Sequence, residues 1–187
     1  MNNKEKMHSG MIYYPSGDDI MVEQLGYVNK LYDFNMTRPT ELDKRNEMLK
    51  EMFAEIGEDC YIEPPFHANW GGHNVHFGKG VYANFNLTCV DDTHIYVGDY
   101  TKFGPNVVLA TAGHPILPEL RQKAYQYNAS VRIGKNCWIG KNLTVNGNGT
   151  VIIGDNCDIA PEVTFQTGGH EIGNRTRRAG DGKLFNQ

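Results

Sequence analysis

The hydrophobic pattern from residue 61 onward has a period of six. Apolar or small residues recur at this spacing in four groups of three, separated by two-residue shifts or by a longer interruption. These positions are Phe77, Ala83, Cys89, Val97, Phe103, Leu109, Ile133, Ile139, Val145, Ile153, Ile159 and Phe165. A second apolar series follows many of them by four residues: Val81, Leu87, Val107, Cys137, Leu143, Cys157 and Val163.

A hexapeptide repeat is typical of a parallel β-helix, in which short strands form the sides of a triangular coil. Three hexads predict a coil of roughly eighteen residues, with the repeated positions pointing inward. An antiparallel sandwich of short strands is the alternative. Four groups of three in phase favour the β-helix.

The N-terminal third has helical spacing instead. Apolar residues lie three and four apart over residues 21–34 and again over residues 41–56, and Pro39 separates the two stretches. Two short amphipathic helices cannot bury their apolar faces alone, so they are expected to pack on the body that follows. The predicted organisation is a helical segment at 1–57 and a β-helix domain at 58–187, with an inserted loop at about 115–130.

Composition narrows the function classes. The chain has 187 residues and a formal net charge of -4, which disfavours nucleic acid as a partner. No apolar run approaches the roughly 20 residues needed to cross a bilayer, and the N-terminus lacks the apolar stretch of a secretory leader. Four cysteines without a CxxC pair favour reduced thiols over two disulfides, and so a cytoplasmic protein.

One histidine stands where the regular pattern gives way to the loop. It lies in Thr111-Ala112-Gly113-His114-Pro115. A neutral imidazole on a rigid scaffold at the mouth of a loop suits general base catalysis. Neither serine nor cysteine neighbours it in sequence, which argues against a covalent acyl-enzyme. The alternative is a turn histidine that bonds only to backbone.

Several motifs in residues 4–145 resemble the galactoside and maltose O-acetyltransferases, a branch of the hexapeptide-repeat acyltransferases. They are Lys4-Glu5-Lys6-Met7, Phe34-Asn35, Glu63-Pro64-Pro65, Tyr82-Ala83-Asn84-Phe85-Asn86, Val90-Asp91-Asp92, Gly113-His114-Pro115, Glu119-Leu120-Arg121 and Ile133-Gly134-Lys135-Asn136-Cys137-Trp138-Ile139-Gly140. The resemblance implies a left-handed parallel β-helix and a homotrimer with active sites between subunits. It also implies acetyl transfer from acetyl-CoA to a hydroxyl of a galactoside, maltose or related glycoside, without a metal.

The same resemblance implies roles for single residues in catalysis and acceptor binding. His114 would remove the proton of the sugar hydroxyl as its oxygen attacks the thioester, and the backbone N–H of Lys141 would stabilise the oxyanion. Asn84 and Asp92 match positions that contact the acceptor. The alternative for Asn84 is a turn asparagine with left-handed backbone, and for Asp92 a solvated turn.

Further positions are implied less directly. Gln126 in the loop, and Asp18 near the N-terminus, are candidates for acceptor contacts. Trp138, Lys141 and Ala160 are expected to line the channel for acetyl-CoA.

The chain departs from the family pattern after Val145. There, residues 153–170 repeat the form of residues 97–114, with Gly, Asp, Pro, Val, Thr, Gly and His at equal offsets. His170 is therefore a possible second base, or a rival to His114. A small basic cluster (Arg175, Arg177, Arg178 and Lys183) could meet CoA phosphates or be a solvated terminus. The altered C-terminus leaves two alternatives open: an acyltransferase with an amine, serine or antibiotic acceptor, and a β-helical scaffold whose cofactor site has decayed.

Overall fold

The computed structural model describes residues 1–170 and 184–186. Three five-stranded parallel sheets form the sides of a β-helix. The first side consists of β1 (Glu55–Ile56), β4 (Val75–Phe77), β7 (Ile95–Val97), β12 (Val131–Ile133) and β15 (Val151–Ile153). The second side consists of β2 (Tyr61–Ile62), β5 (Tyr82–Ala83), β8 (Lys102–Phe103), β13 (Trp138–Ile139) and β16 (Asp158–Ile159). The third side consists of β3 (His67–Ala68), β6 (Thr88–Val90), β9 (Val108–Ala110), β14 (Thr144–Asn146) and β17 (Thr164–Gln166).

The strand register confirms the residues predicted to point inward. Phe77 lies opposite Val97, and Ala83 lies opposite Phe103, so each hexad position stacks on its equivalent in the next coil. Positions of both series from Phe77 to Ile153 are buried, whereas Ile159 and Phe165 in the last coil are only partly buried. The predicted fold class is therefore confirmed: mainly β, a parallel β-helix of hexapeptide repeats with a short N-terminal helical segment.

A regular coil contains twenty residues, where the hexads alone predict about eighteen. The two extra residues fall at one corner of the triangle, between the third and the first side. We call this the wide corner; it comprises residues 69–74, 91–94, 111–130 and 147–150. The corner between the second and the third side, which we call the narrow corner, comprises residues 84–87, 104–107, 140–143 and 160–163.

Two antiparallel strand pairs leave the coil at the wide corner. β10 (Ala112–Gly113) pairs with β11 (Tyr127–Asn128), and β18 (Gly168–His170) pairs with β19 (Leu184–Asn186). The inserted loop lies between β10 and β11 and contains a short helix, α4 (Pro118–Gln122).

The N-terminal helices are α1 (Asn3–Met7), α2 (Asp18–Asn35) and α3 (Leu42–Met52). Prediction of a helix as far as residue 56 is wrong: Phe53 is extended, and the Ala54 N–H donates to Val75 O at 3.0 Å. The chain therefore leaves the helix at Phe53 and pairs with the β-helix from Ala54 onward. As a result, β1 lies before the predicted boundary at residue 57. That boundary stays a prediction, since side chains of α2 and α3 share one core with the β-helix.

An aromatic cluster closes the core at the N-terminal end of the β-helix. The ring of Phe53 lies 5.5 Å from that of Phe66 and 5.2 Å from that of Phe77, measured between centroids. All four cysteines are free. In the part of the chain that the structure describes, none of the helices combines the length and apolar character needed to cross a membrane.

Candidate functional site

The Asp91 carboxylate holds the wide corner together. Its two oxygens accept hydrogen bonds from the backbone N–H of Trp70 at 2.6 Å and of Gly72 at 3.0 Å. Burial raises its pKa to about 6, against the opposing effect of the hydrogen bond from the Trp70 N–H. The side chain is completely buried, so its role is to position the backbone around its neighbour Asp92.

Asp92 belongs to a polar pocket at the same corner. Its carboxylate accepts hydrogen bonds from the side-chain amides of Asn69 at 2.8 Å and of Gln126 at 3.3 Å. Burial also raises the pKa of this carboxyl. Tyr13 and Trp70 complete the pocket, which has a volume of about 180 Å³ and is called the Asp92 pocket below. The structure thus brings Asp92 and Gln126 together and excludes the alternative of a solvated turn.

His114 directly follows β10 and is exposed. The backbone before it is fixed closely. The Thr111 hydroxyl donates to Val90 O at 2.7 Å and accepts from the Thr93 N–H at 3.0 Å. A Cβ at Gly113 would lie 2.9 Å from the Tyr127 ring and 3.0 Å from Gly147 O, so a larger residue there would have to displace the Tyr127 ring. The imidazole is therefore presented from a rigid base.

The N-terminal segment fastens the loop that follows His114. Tyr13 and Gln126 exchange backbone hydrogen bonds of 2.9 and 3.0 Å. Asn128 donates its side-chain amide to Met7 O at 2.9 Å and to the Tyr13 hydroxyl at 3.1 Å. Sequence reasoning missed Tyr13, Asn69 and Asn128, because their partners lie between 23 and 121 residues away in the chain and the spacing gives no signal of them.

A second group of predicted residues lies at and beside the narrow corner. Asn84 is half-buried and its side-chain oxygen accepts from the Phe85 N–H at 2.7 Å. Its backbone is not left-handed; Asn86 has that conformation, with φ 62°, so the turn-asparagine alternative for Asn84 is wrong. Trp138 is 52% exposed on the outer face of the second side. Ala160 is exposed above Gly140.

The backbone N–H of Lys141 is free to meet a ligand. It donates to no residue that the structure describes, and the side chain lies outside, with its ammonium 3.8 Å from Glu162. Pro105 and Pro161 occupy the same corner position in the coils before and after. A free N–H on an exposed, rigid turn is the geometry expected of an oxyanion donor.

The two groups are not brought together within one chain. The third side separates the wide corner from the narrow corner, and its three-residue strands span on the order of 10 Å. One group therefore lies at the wide corner: His114, Asp92 and Gln126. The other lies at or beside the narrow corner, across the third side: Asn84, Trp138, Lys141 and Ala160.

Some predicted residues are not described in full. Asp18 begins α2, but its side chain lies outside the described part of the structure. His170 ends β18 at the position equivalent to His114, and its side chain also lies outside it. The basic cluster at Arg175, Arg177, Arg178 and Lys183 falls outside the described residues. Within them, no group of three or more His, Cys, Asp or Glu side chains could hold a metal.

Comparison with known proteins identifies the family of this chain. Residues 6–57 match the maltose acetyltransferase hexapeptide capping motif. Galactoside O-acetyltransferase of Lactococcus lactis subsp. lactis (strain IL1403) is 48% identical over 145 residues, which cover 78% of this chain and 70% of that protein. The chain belongs to the galactoside and maltose O-acetyltransferase family.

Solved structures support the same assignment. A galactoside acetyltransferase in complex with coenzyme A is 36% identical, with a TM-score of 0.76 over 88% of this chain and 86% of that one. A maltose O-acetyltransferase from Clostridium difficile 630 is 28% identical, with a TM-score of 0.77 over 100% of this chain and 97% of that one. The predictions of this acetyltransferase family, of an acyltransferase and of acetyl-CoA as co-substrate are confirmed.

Proposed function

We propose that this acetyltransferase transfers the acetyl group of acetyl-CoA to a hydroxyl of a galactoside, maltose or related glycoside, with His114 as general base. One observation carries the proposal. An exposed imidazole stands on fixed backbone at the same corner as a pocket that offers a carboxylate and two amides, Asp92, Asn69 and Gln126. The names of the relatives support a sugar acceptor.

His114 acts twice in the reaction. A sugar hydroxyl is almost wholly protonated at neutral pH, and histidine, which as a class titrates near pH 6.5, suits proton transfer there. The imidazole takes the hydroxyl proton while the oxygen attacks the thioester carbonyl carbon. When the tetrahedral intermediate collapses, the carbon–sulfur bond breaks. The imidazolium then returns its proton to the departing CoA thiolate.

The narrow corner supplies the oxyanion and cofactor contacts. The Lys141 N–H would donate to the carbonyl oxygen as it gains negative charge. Trp138, with Lys102 beside it in register, forms an exposed wall along which the pantetheine arm would run, ending near Ala160. Asn84 would orient an acceptor hydroxyl from this side.

A complete site then requires two copies of the chain. The wide corner of one copy, with His114 and the Asp92 pocket, would face the narrow corner of another, with Asn84 and Lys141. A ring of three copies closes such a head-to-tail contact, so we propose a homotrimer with three shared sites. Exposed apolar side chains on α2, among them Val22, Leu25 and Tyr32, support association. A cytoplasmic location stays a prediction.

The test is an acetylation assay on purified protein with galactosides, maltose, serine and amine acceptors, together with calorimetric titration of CoA. Transfer to a sugar hydroxyl is the expected result. Transfer to an amine with no sugar product would overturn the acceptor class. Absence of CoA binding would favour the decayed scaffold.

A further inference from the structure

A large cavity lies between the first side of the β-helix and the inserted loop. Its volume is about 970 Å³. His94, Tyr96 and Arg132 form its floor, and Leu117 and Leu120 from the loop form its roof. Its size is within the range of small-molecule sites. None of the proposed acetyl-transfer residues whose side chains the structure describes lines it, so it is distinct from the proposed active site.

Among the residues that the structure describes, the cavity has one permanent positive charge and no carboxylate. Arg132 is the only Lys, Arg, Asp or Glu side chain among the described lining residues. It forms no ion pair with any residue that the structure describes. A guanidinium with unpaired N–H donors is a preferred partner for carboxylates and phosphates, which it binds through two parallel hydrogen bonds.

Tyr96 holds this guanidinium in place. Arg132 lies over its ring at 4.0 Å, and His76 stacks at 4.4 Å between ring centroids. Arg132 and His76 are the two register neighbours of Tyr96 on the first side, so both faces of the ring are occupied. Tyr96 is therefore a support for Arg132 and offers no free face for stacking a sugar.

The histidines of the cavity do not add charge at neutral pH. His94 lies on the His8 ring at 4.8 Å and shares a hydrogen bond of 3.0 Å with His76. Burial, followed by the nearby His8, His76 and Arg132, lowers the pKa of His94 to about 4. Among the described lining residues, Arg132 is thus the source of positive charge.

Part of the cavity lining is apolar. Ile12 and Leu117 line the cavity and are each 44% exposed. Exposed apolar side chains around a concave site indicate that a ligand covers them with apolar surface. Ser130 and Thr150 also line the cavity, and their hydroxyls are further hydrogen-bonding groups.

We propose that this cavity binds an organic anion, a carboxylate or a phosphate ester on an apolar body. The anionic group binds Arg132, and the body packs under Leu117. Because Leu117 belongs to the loop that begins at His114, an occupied cavity ties this loop to the first side.

The test is calorimetric titration with three probes, 4-iodobenzoate, phenyl phosphate and the uncharged 4-iodobenzamide. At least one anion is expected to bind, and to bind the wild-type protein at least tenfold more tightly than the amide does. Arg132→Gln should weaken that anion roughly 10- to 100-fold, the range of a hydrogen bond to a charged group. Arg38→Gln, which removes the same charge from an exposed position far along the chain, should leave it unchanged. Which anion binds distinguishes a carboxylate from a phosphate ligand.

Leu117→Asp is a second variant at an exposed position, and it should weaken the anions more than the amide. The iodine of 4-iodobenzoate locates the probe by anomalous scattering, and saturating CoA should not displace it. The proposal is overturned by equal binding to wild type and Arg132→Gln, by no binding of either anion at millimolar concentration, or by displacement with CoA. It concerns binding alone and does not depend on acetyl transfer.

Discussion

Gln126 donates a hydrogen bond from its side-chain amide to the Tyr13 hydroxyl at 3.0 Å. The same amide reaches Asp92 at 3.3 Å, and the backbones of Gln126 and Tyr13 are paired. The N-terminal segment, the wide corner and the inserted loop therefore meet at one point. Tyr13 and Gln126 line the Asp92 pocket, so removing their hydrogen bond tests whether it supports acceptor binding.

Tyr13→Phe removes the hydroxyl and keeps the ring. The amides of Gln126 and Asn128 each lose a partner, so the free energy of unfolding should fall by about 1 kcal/mol. The KM for the sugar should rise roughly fivefold, with kcat changed less, since an acceptor contact is displaced and the base is not. Tyr14→Phe, at an exposed position, is the control. An unchanged KM would show that this bond plays no part in acceptor binding.

His114→Ala tests the proposed base. Loss of general base catalysis should lower kcat on the order of 10²- to 10⁴-fold while CoA affinity stays near that of the wild type. His67→Ala removes another exposed histidine, on the third side, and should leave the rate unaffected. If His114→Ala lost less than tenfold, the base would have to be sought elsewhere, beginning with His170.

Lys141→Pro tests a backbone donor by removing its N–H. The backbone accepts proline at this corner, because Pro105 and Pro161 occupy the equivalent positions one coil away on either side. Loss of one oxyanion donor should lower kcat roughly 10²- to 10³-fold. Lys141→Ala, which removes the side chain and keeps the N–H, should lose far less. Equal losses in the two variants would assign the effect to the side chain.

Co-expression of His114→Ala with Lys141→Pro tests whether sites are shared between copies. Each variant alone should be nearly inactive. In random mixed trimers, however, roughly a quarter of the contacts would join an intact wide corner to an intact narrow corner. Activity recovered in the mixture, measured per site after purification, supports the shared site. No recovery in mixed trimers verified by mass spectrometry would place both groups in one chain's own site.

His94 should make stability depend on pH in a defined window. Its folded pKa, about 4, lies below the reference value of 6.5. The unfolded chain therefore binds the proton more readily than the folded chain does. The contribution of neutral His94 to the free energy of unfolding is complete above pH 6.5 and is lost as the pH falls toward 4. The groups around it are His8, His76, His73 and Arg132, and the carboxylate of Glu55 is bonded to His76 at 2.9 Å.

Denaturant unfolding of wild type and His94→Gln across this range measures the effect. Between pH 6.5 and 4 the free energy of unfolding should fall more for the wild type than for His94→Gln. This holds whatever the difference in free energy of unfolding between the two proteins at pH 7. His67→Gln should run parallel to the wild type. Parallel curves for wild type and His94→Gln would contradict the lowered pKa. Because Asp91 is present in all three proteins, its own titration cancels in the comparison.

The chain itself determined the β-helix and its inward residues. The sequence alone assigns four residues to one inward-facing column: Phe77, Val97, Ile133 and Ile153. The reason is that successive sides of the coil bury residues six apart, and each coil repeats the one before it. His114 could be singled out because it stands where that repetition stops. The family resemblance supplied the remaining candidate positions, and sequence spacing alone could not have done so.

Tertiary structure decided where those candidates lie relative to one another. The sequence shows that the repeat shifts by two residues but not where in the coil each shift lies. In the structure every shift lies at the wide corner, which brings together Asp92, His94 and the loop after His114. The hydrogen bonds between Tyr13 and Gln126 and the stacking of Arg132 on Tyr96 likewise depend on chain segments that meet only after folding. The reason is physical: local hydrophobic burial sets the coil, whereas polar contacts across distant segments form only once the coil has fixed their distances.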